Sequence, residues 1–263
     1  MGNQEVWNVE PGDPTSGVIK HVPHASRHIP AAEHKRFLID SSSLEAELDA
    51  ITDADTDRLA RAARRRARRQ PWMFLNQNSR LLVDPKRFPD AREEMLSVGM
   101  GAVYLRTTDQ RELRSTDPTD DERLMNSYYW PYARAFERLV EERLNEVGQV
   151  LIIDVHSYPR DPLPYELHAD QARPSLCVGT DRYHTPPALV RVATSAWSGS
   201  TELNQPFSGC YVPERFRMTD DRVQAVMLEI RRDVIKEWFN EELSKRDDSA
   251  IVSAIVAVID SDT

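Results

Sequence analysis

The sequence predicts an α/β fold, a three-layer α/β/α domain around a mixed, mainly parallel central sheet. Two observations carry this. Short apolar runs rich in β-branched residues recur at 18–22, 151–158, 175–179 and 223–230, with helix-like stretches between them. Such alternation indicates a layered domain with a largely parallel sheet. His24, His156 and Glu229 fall at or near the ends of those runs, where open α/β sheets place their ligands.

Composition narrows the function classes. The chain has 263 residues, 40% of them hydrophobic and 29% charged, and is long enough to bury a substantial core. A net charge of -9 argues against a nucleic-acid partner. The arginine-dense stretch 61–69 lies inside a helical pattern and reads as a solvated helix face. Two cysteines, Cys177 and Cys210, are too few for a disulfide framework and show no CxxC spacing. Residues 1–13 are polar and lack the apolar core of a signal peptide. No apolar run approaches a membrane span. A cytoplasmic protein with no membrane partner is expected.

Taken in order, residues 17–22 form a first strand, and the loop 23–30 is bracketed by prolines. His24 and His28 are four apart, which suits two ligands on one helix, but Pro30 argues against a long helix here. His24 is therefore the preferred single ligand, with His28 as loop filler or substrate contact. Ser41, Ser42 and Ser43 are N-cap candidates for the helical stretch that follows. Asp53, Asp55 and Asp57 come next, with Asp53 and Asp57 one turn apart on a shared helix face. Three acids so close repel unless solvent, a cation or the following arginines neutralise them.

Residues 72–75 and 80–84 are two further strand-like runs joined by a turn. Asp84, Lys86 and Arg87 follow at the second tip, where arginine forks bind carboxylates or form surface salt bridges. Residues 89–121 are charged and read as a lid-like excursion, with a short strand at 103–106. Residues 120–147 form a long amphipathic helix, kinked or divided at Pro131 and closed by Gly148.

The central strand is 151–158, ending in Asp154, His156, Ser157 and Tyr158 before Pro159. Alternation puts Asp154 and His156 on one side, so that Asp154 orients the ring or contributes to a metal site, or else His156 merely caps the strand end and bonds its own loop. A strand at 175–179, a helix at 187–197 and a loop and strand at 204–212 come next. The run 223–230 is apolar except at Gln224 and Glu229. A carboxylate there is costly unless paired or functional, which makes Glu229 a candidate base and a pair with Arg231 or Arg232 the alternative. Helices at 233–244 and 250–259 finish the chain. Two histidines and a carboxylate suit catalytic zinc, which keeps a position open for water.

These pieces, in this order, resemble the N-formylglutamate amidohydrolases, zinc-dependent hydrolases with an α/β fold related to the zinc exopeptidases. A Pro-His-Ser-Gly-like motif is matched by Pro23-His24-Ala25-Ser26, and the family's acidic helix motif by the segment from Asp53 to Leu59. Its Arg…Asp-x-Asn-Arg pattern is similar to Arg80, Asp84 and Arg87, and Asp-x-His-Ser stands as Asp154-Val155-His156-Ser157. Gly179-Thr180-Asp181 resembles a Gly-x-Asp segment, and the stretch from Asn204 through Gly209 to Tyr211 an Asn-x-Pro…Gly-Gly-Tyr motif. The Glu-Ile-Asn-Arg motif resembles Glu229-Ile230-Arg231-Arg232. Departures are Ser26 for the loop glycine, Lys86 for the first asparagine, Cys210 for the second glycine and Arg231 for the last asparagine.

The resemblance covers residues 18–238 and implies one catalytic domain over 1–263, with a helical region from 239 on. It implies one Zn²⁺ per chain held by His24, Asp53 (Asp55 or Asp57 as alternatives) and His156, with Glu229 as general base. Arg80, Arg87 and Arg232 are candidates for stabilising the oxyanion and binding substrate carboxylates. Asn204, Gly209 and Tyr211 would contact substrate, and Asp154, Asp84 and Asp57 would support the ligands from behind. The implied reaction is hydrolysis of a small N-acyl amino acid such as N-formyl-L-glutamate to formate and glutamate. A zinc peptidase, or a non-catalytic carboxylate-binding domain, is the alternative. Nothing in the residues fixes the oligomeric state.

Overall fold

A computed structural model describes residues 6–241 and 247–261. Its sheet has seven strands: β1 (Trp7–Glu10), β2 (Val18–Val22), β3 (Trp72–Asn76), β4 (Val150–Tyr158), β5 (Leu176–Gly179), β6 (Thr201–Leu203) and β7 (Val223–Arg231), in the order β1-β3-β2-β4-β7-β5-β6. The central strands β3, β2, β4 and β7 run parallel, while β1 against β3 and β5 against β7 are antiparallel. The sheet is mixed and mainly parallel, as the alternation of runs predicts.

All nine residues of β4 are buried, because helices cover both faces. Leu151, Ile153 and Val155 pack against α3 (Thr56–Arg66), α6 (Pro187–Ser195), α7 (Arg232–Asn240) and α8 (Ala250–Ile259), through Leu59, Leu189, Trp238 and Ile255 among others. Ile152, with Ile19 of β2 and Phe74 of β3, packs against α5 (Trp130–Val147) through Tyr132, Phe136 and Val140. The arginines of α3 lie outside this packing. Arg61 pairs with Glu10 and Asp57, and Arg65 with Asp247. No helix among the described residues is long and apolar enough to cross a membrane.

Several elements differ from the sequence reading. After the short helix α1 (Ala31–His34), helix α2 (Ser41–Ile51) is capped by Asp40, whose side chain accepts from Ser43 N–H, so the serines begin the helix instead of capping it. Residues 80–84 form turns and no strand. Leu81, Leu82 and Val83 are buried in two smaller clusters beside the sheet, and a short apolar run does not by itself fix a period. Residues 103–106 make only isolated bridges, Met100 with Tyr104 and Arg106 with Glu112. Polar β1 escaped the sequence reading, being an edge strand of which no residue is fully buried. The helix expected over 120–147 is divided into α4 (Pro118–Leu124), a π-helical segment (Met125–Tyr129) and α5, with Pro131 in the first turn of α5. Gly148 ends α5 at φ 83°, the left-handed cap that glycine adopts without strain. Residues 242–244 of the expected helix 233–244 lie outside the described residues.

Candidate active site

The parallel strands β2, β4 and β7 deliver their carboxyl ends to one cavity of about 680 Å³. His24 enters from the loop after β2, and His156 and Glu229 stand opposite each other in the β4–β7 register. Asp53 arrives from the link between α2 and α3. Its N–H donates to His24 O (3.0 Å), and its own carbonyl accepts from the Thr56 hydroxyl (2.7 Å). Asp53 is therefore a loop residue and shares no helix face with Asp57, which pairs with Arg61 away from the cavity. The expectation that Asp57 supports the ligands is corrected accordingly. Asp55 occupies the left-handed N-cap position of α3 and pairs with Arg58.

His24, Asp53 and His156 form a buried group able to hold a metal ion. Asp53 Oδ2 lies 3.5 Å from His24 Nδ1 and 3.0 Å from His156 Nδ1. Zinc bonds of 2.0–2.2 Å give tetrahedral ligand separations of about 3.3–3.5 Å. Among the described residues, His24 Nδ1 and Asp53 Oδ1 have no hydrogen-bond partner, His156 Nδ1 faces Asp53 itself at 3.0 Å, and Glu229 Oε2 beside them is also unpaired. Buried polar atoms are rarely left unpaired, so this set fits a cation with two nitrogen donors and one oxygen.

Electrostatics agree with that fit. Burial, aided by the charge of Lys86, pulls His156 down to about 3, leaving it neutral. Burial pushes the Asp53 carboxyl up, yet hydrogen bonds from His156 and His24 outweigh it and hold Asp53 well below the usual carboxylate range. A neutral imidazole and an ionised carboxylate are the ligand forms a metal needs. Glu229 goes the other way. Burial and the nearby Asp53 charge push it up to about 8, against the pull of Lys86, Arg80 and Arg232.

Asp84 stands behind His24, its Oδ1 accepting from Nε2 at 2.7 Å. Its Oδ2 accepts from Arg80 (2.6 Å) and the Tyr104 hydroxyl (2.6 Å). Burial opposes ionisation of Asp84, but the charge of Arg80 and the hydrogen bond from His24 hold it well below the usual range. A carboxylate so placed fixes the ring and raises its basicity. Asp84→Asn is expected to weaken metal binding about 10–100-fold with the fold intact, read by competition with a zinc chelator.

Asp154 has a different role from the one expected. Its Oδ1 accepts from His21 Nδ1 (2.5 Å), its Oδ2 accepts from Tyr211 N–H (2.6 Å), and it touches neither His24 nor His156. An ionised carboxylate only accepts, so His21 carries its proton on Nδ1, and Nε2 accepts from the Tyr132 hydroxyl (2.7 Å). This chain anchors the Tyr211 loop to β2, β4 and α5. Asp154→Ala is expected to destabilise the protein by about 3 kcal/mol, measured by denaturant unfolding.

The remaining expected site residues divide. Arg80 is held by Asp84 and Tyr104. Arg87 donates to Glu93 (3.2 Å) and keeps an unpaired Nε, and Arg232 donates to Ala50 O (2.7 Å) and also keeps an unpaired Nε. All three line the cavity with Gly209 and Tyr211, whereas Asn204 does not. Asn204 bonds the backbone and hydroxyl of Thr180 and so holds the 204–211 loop. Lys86, Met227 and Tyr165 also line the cavity. Tyr165 lies in an irregular stretch where no period in the sequence marks it.

Comparison with known proteins agrees with this architecture. The family model of the N-formylglutamate amidohydrolases matches residues 16–236. No curated protein matches the chain. Among solved structures, the N-formylglutamate amidohydrolase of Ralstonia eutropha JMP134 is similar at TM-score 0.75 and 18% identity, over 96% of this chain and 95% of that one. The gene product Atu2144 of Agrobacterium tumefaciens is similar at TM-score 0.70 and 17% identity, over 97% and 94%. At such identity the likeness is one of fold, while the family match spans most of the sequence and every residue of the cluster just described. The protein belongs to the N-formylglutamate amidohydrolase family, hydrolases that act on an amide bond.

Proposed function

We propose that the protein is a zinc-dependent amidohydrolase that cleaves an N-acyl amino acid, with N-formyl-L-glutamate giving formate and glutamate as the reference reaction. The observation that carries this is the buried His24–Asp53–His156 group, with unpaired donor atoms, beside a carboxylate pushed up to about 8. A zinc ion held by these three residues supplies Lewis acidity, lowering the pKa of water to about 7 and polarising the acyl carbonyl.

The chain's own residues supply the rest. Glu229 takes a proton from water as the water oxygen adds to the acyl carbon. When the C–N bond breaks, Glu229 returns that proton to the departing nitrogen. Burial raises this carboxyl in metal-free protein, and a cation on Asp53 would favour its ionised form, the form that accepts the proton it later donates. Arg87 and Arg232 each keep an Nε–H without a hydrogen-bond partner among the described residues. The carboxylate nearest Nε of Arg87 is Asp84 at 3.6 Å, and Arg232 has Asp53 at 3.8 Å. These are the arginines placed to receive substrate oxygens, whereas Arg80 is held by Asp84 at 2.6 Å. Gly209 and Tyr211 border the bound acyl group, on a loop fixed by Asn204.

The test is metal content together with deformylation. Near one zinc per chain and release of formate from N-formyl-L-glutamate are expected. Zinc without deformylation would move the substrate to larger N-acyl amino acids or peptides. That second reading is favoured by the cavity itself, since about 680 Å³ with Trp130, Leu163 and Leu167 on its wall matches the size that holds drug-sized ligands. Absence of zinc, with no gain on adding it, would remove the mechanism.

A further inference from the structure

Three cations stand close enough to Glu229 to pull its carboxyl down: Lys86, Arg80 and Arg232. Arg80 is neutralised by Asp84 at 2.6 Å, and Arg232 donates to Ala50 O at 2.7 Å. Among the described residues, Lys86 has neither kind of partner. Its ammonium rests against the thioether of Met227, and its nearest carboxylate oxygen, Asp154 Oδ2, is 4.0 Å away. That oxygen already accepts from Tyr211 N–H. The Lys86 side chain is 20% exposed, too enclosed for bulk water to solvate it fully. A thioether is a weak acceptor, and an enclosed charge without a strong acceptor is costly unless a ligand completes it.

Position places this ammonium in the cavity, which Lys86 and Met227 both line. Asp154 pairs with Met227 in the β4–β7 register, and His156 pairs with Glu229 two residues further on. Residues two apart on a strand share a face and lie about 7 Å apart. The ammonium therefore sits on the cavity floor, one step behind the metal ligand and the base. Arg87 and Arg232 line the same cavity, each with an Nε–H that lacks a hydrogen-bond partner among the described residues. Lys86 is a separate point charge elsewhere in the same cavity, so the site has room for a second carboxylate.

We propose that Lys86 is a specificity-determining residue whose ammonium binds a second carboxylate of the substrate, selecting an acidic N-acyl amino acid over its neutral amide. The assignment rests on reading the protein as an N-acyl amino acid hydrolase, and binding measured without turnover keeps the two separable. In zinc-loaded Glu229→Gln protein, N-formyl-L-glutamate and N-formyl-L-glutamine are titrated by calorimetry. The glutamate derivative should bind about tenfold more tightly or better. Adding Lys86→Met or Lys86→Gln should erase that preference, and Lys86→Arg should keep it. A preference that survives both neutral variants, or is missing before them, overturns the proposal. Binding of neither compound overturns it together with the N-formyl reading. A preference that Lys86 variants abolish, in a protein that never deformylates the glutamate derivative, upholds the role of Lys86 and removes the deformylase reading alone.

Discussion

His156→Ala is expected to remove metal and activity together. His156 is one of only three donors in the cluster, and its ring lies 4.8 Å from that of His24. Two protein ligands are too few for a catalytic zinc, which ordinarily keeps three. Metal polarisation is worth several kcal/mol of transition-state stabilisation, so kcat/KM should fall by a factor of about 10³ or more. Zinc content should drop from near one per chain to near zero under dialysis that leaves the wild type loaded. Asp53→Asn should act in the same direction, and its loop should persist, because the Asp53 backbone holds it through His24 O and the Thr56 hydroxyl. Full turnover in a metal-free His156→Ala protein would refute the assignment.

The same cluster marks how far the sequence could be read. His156 and Glu229 were legible because each interrupts an apolar, β-branched run near its carboxyl end, and a parallel sheet sends such ends to one edge. His24 was legible as the histidine after the first strand. Asp53 was legible by type only, since the 53–57 spacing suggests one helical face and the helix begins at Thr56. Asp154 was misread because strand alternation reports a face and not a partner. Its partner, His21, comes from β2, and the parallel pairing that aligns the two is a tertiary fact. Residues 80–84 were misread for a related reason. Burial of Leu81 and Leu82 is real, but it occurs in a turn organised by Asp84 and Arg80, and those contacts follow from three-dimensional closure. The sheet was legible in its centre, where both faces are buried, and not at β1, where the edge strand carries polar residues.

Glu229→Gln is expected to separate chemistry from metal binding and to reveal what the base costs the fold. The carboxyl does not belong to the metal cluster, so zinc content should stay near that of the wild type. Loss of general-base catalysis should lower kcat by about 10²–10⁴. Stability should move the other way in metal-free protein. The folded carboxyl is pushed up to about 8 from 4.5, by burial and then by the Asp53 charge. The fold therefore favours the neutral form. That contribution is fully present below about pH 4.5 and is lost as pH rises through about 8. Near pH 7 the ionisable group costs metal-free protein up to about 3 kcal/mol. Glutamine cannot ionise and escapes this cost. Metal-free Glu229→Gln should thus unfold at higher denaturant than metal-free wild type at pH 7–8, with the gap closing at pH 4. A variant less stable than wild type at pH 7, with the deficit shrinking as pH falls to 4, would mean that Glu229 is an ionised partner of Arg232, and the raised carboxyl would fall with it.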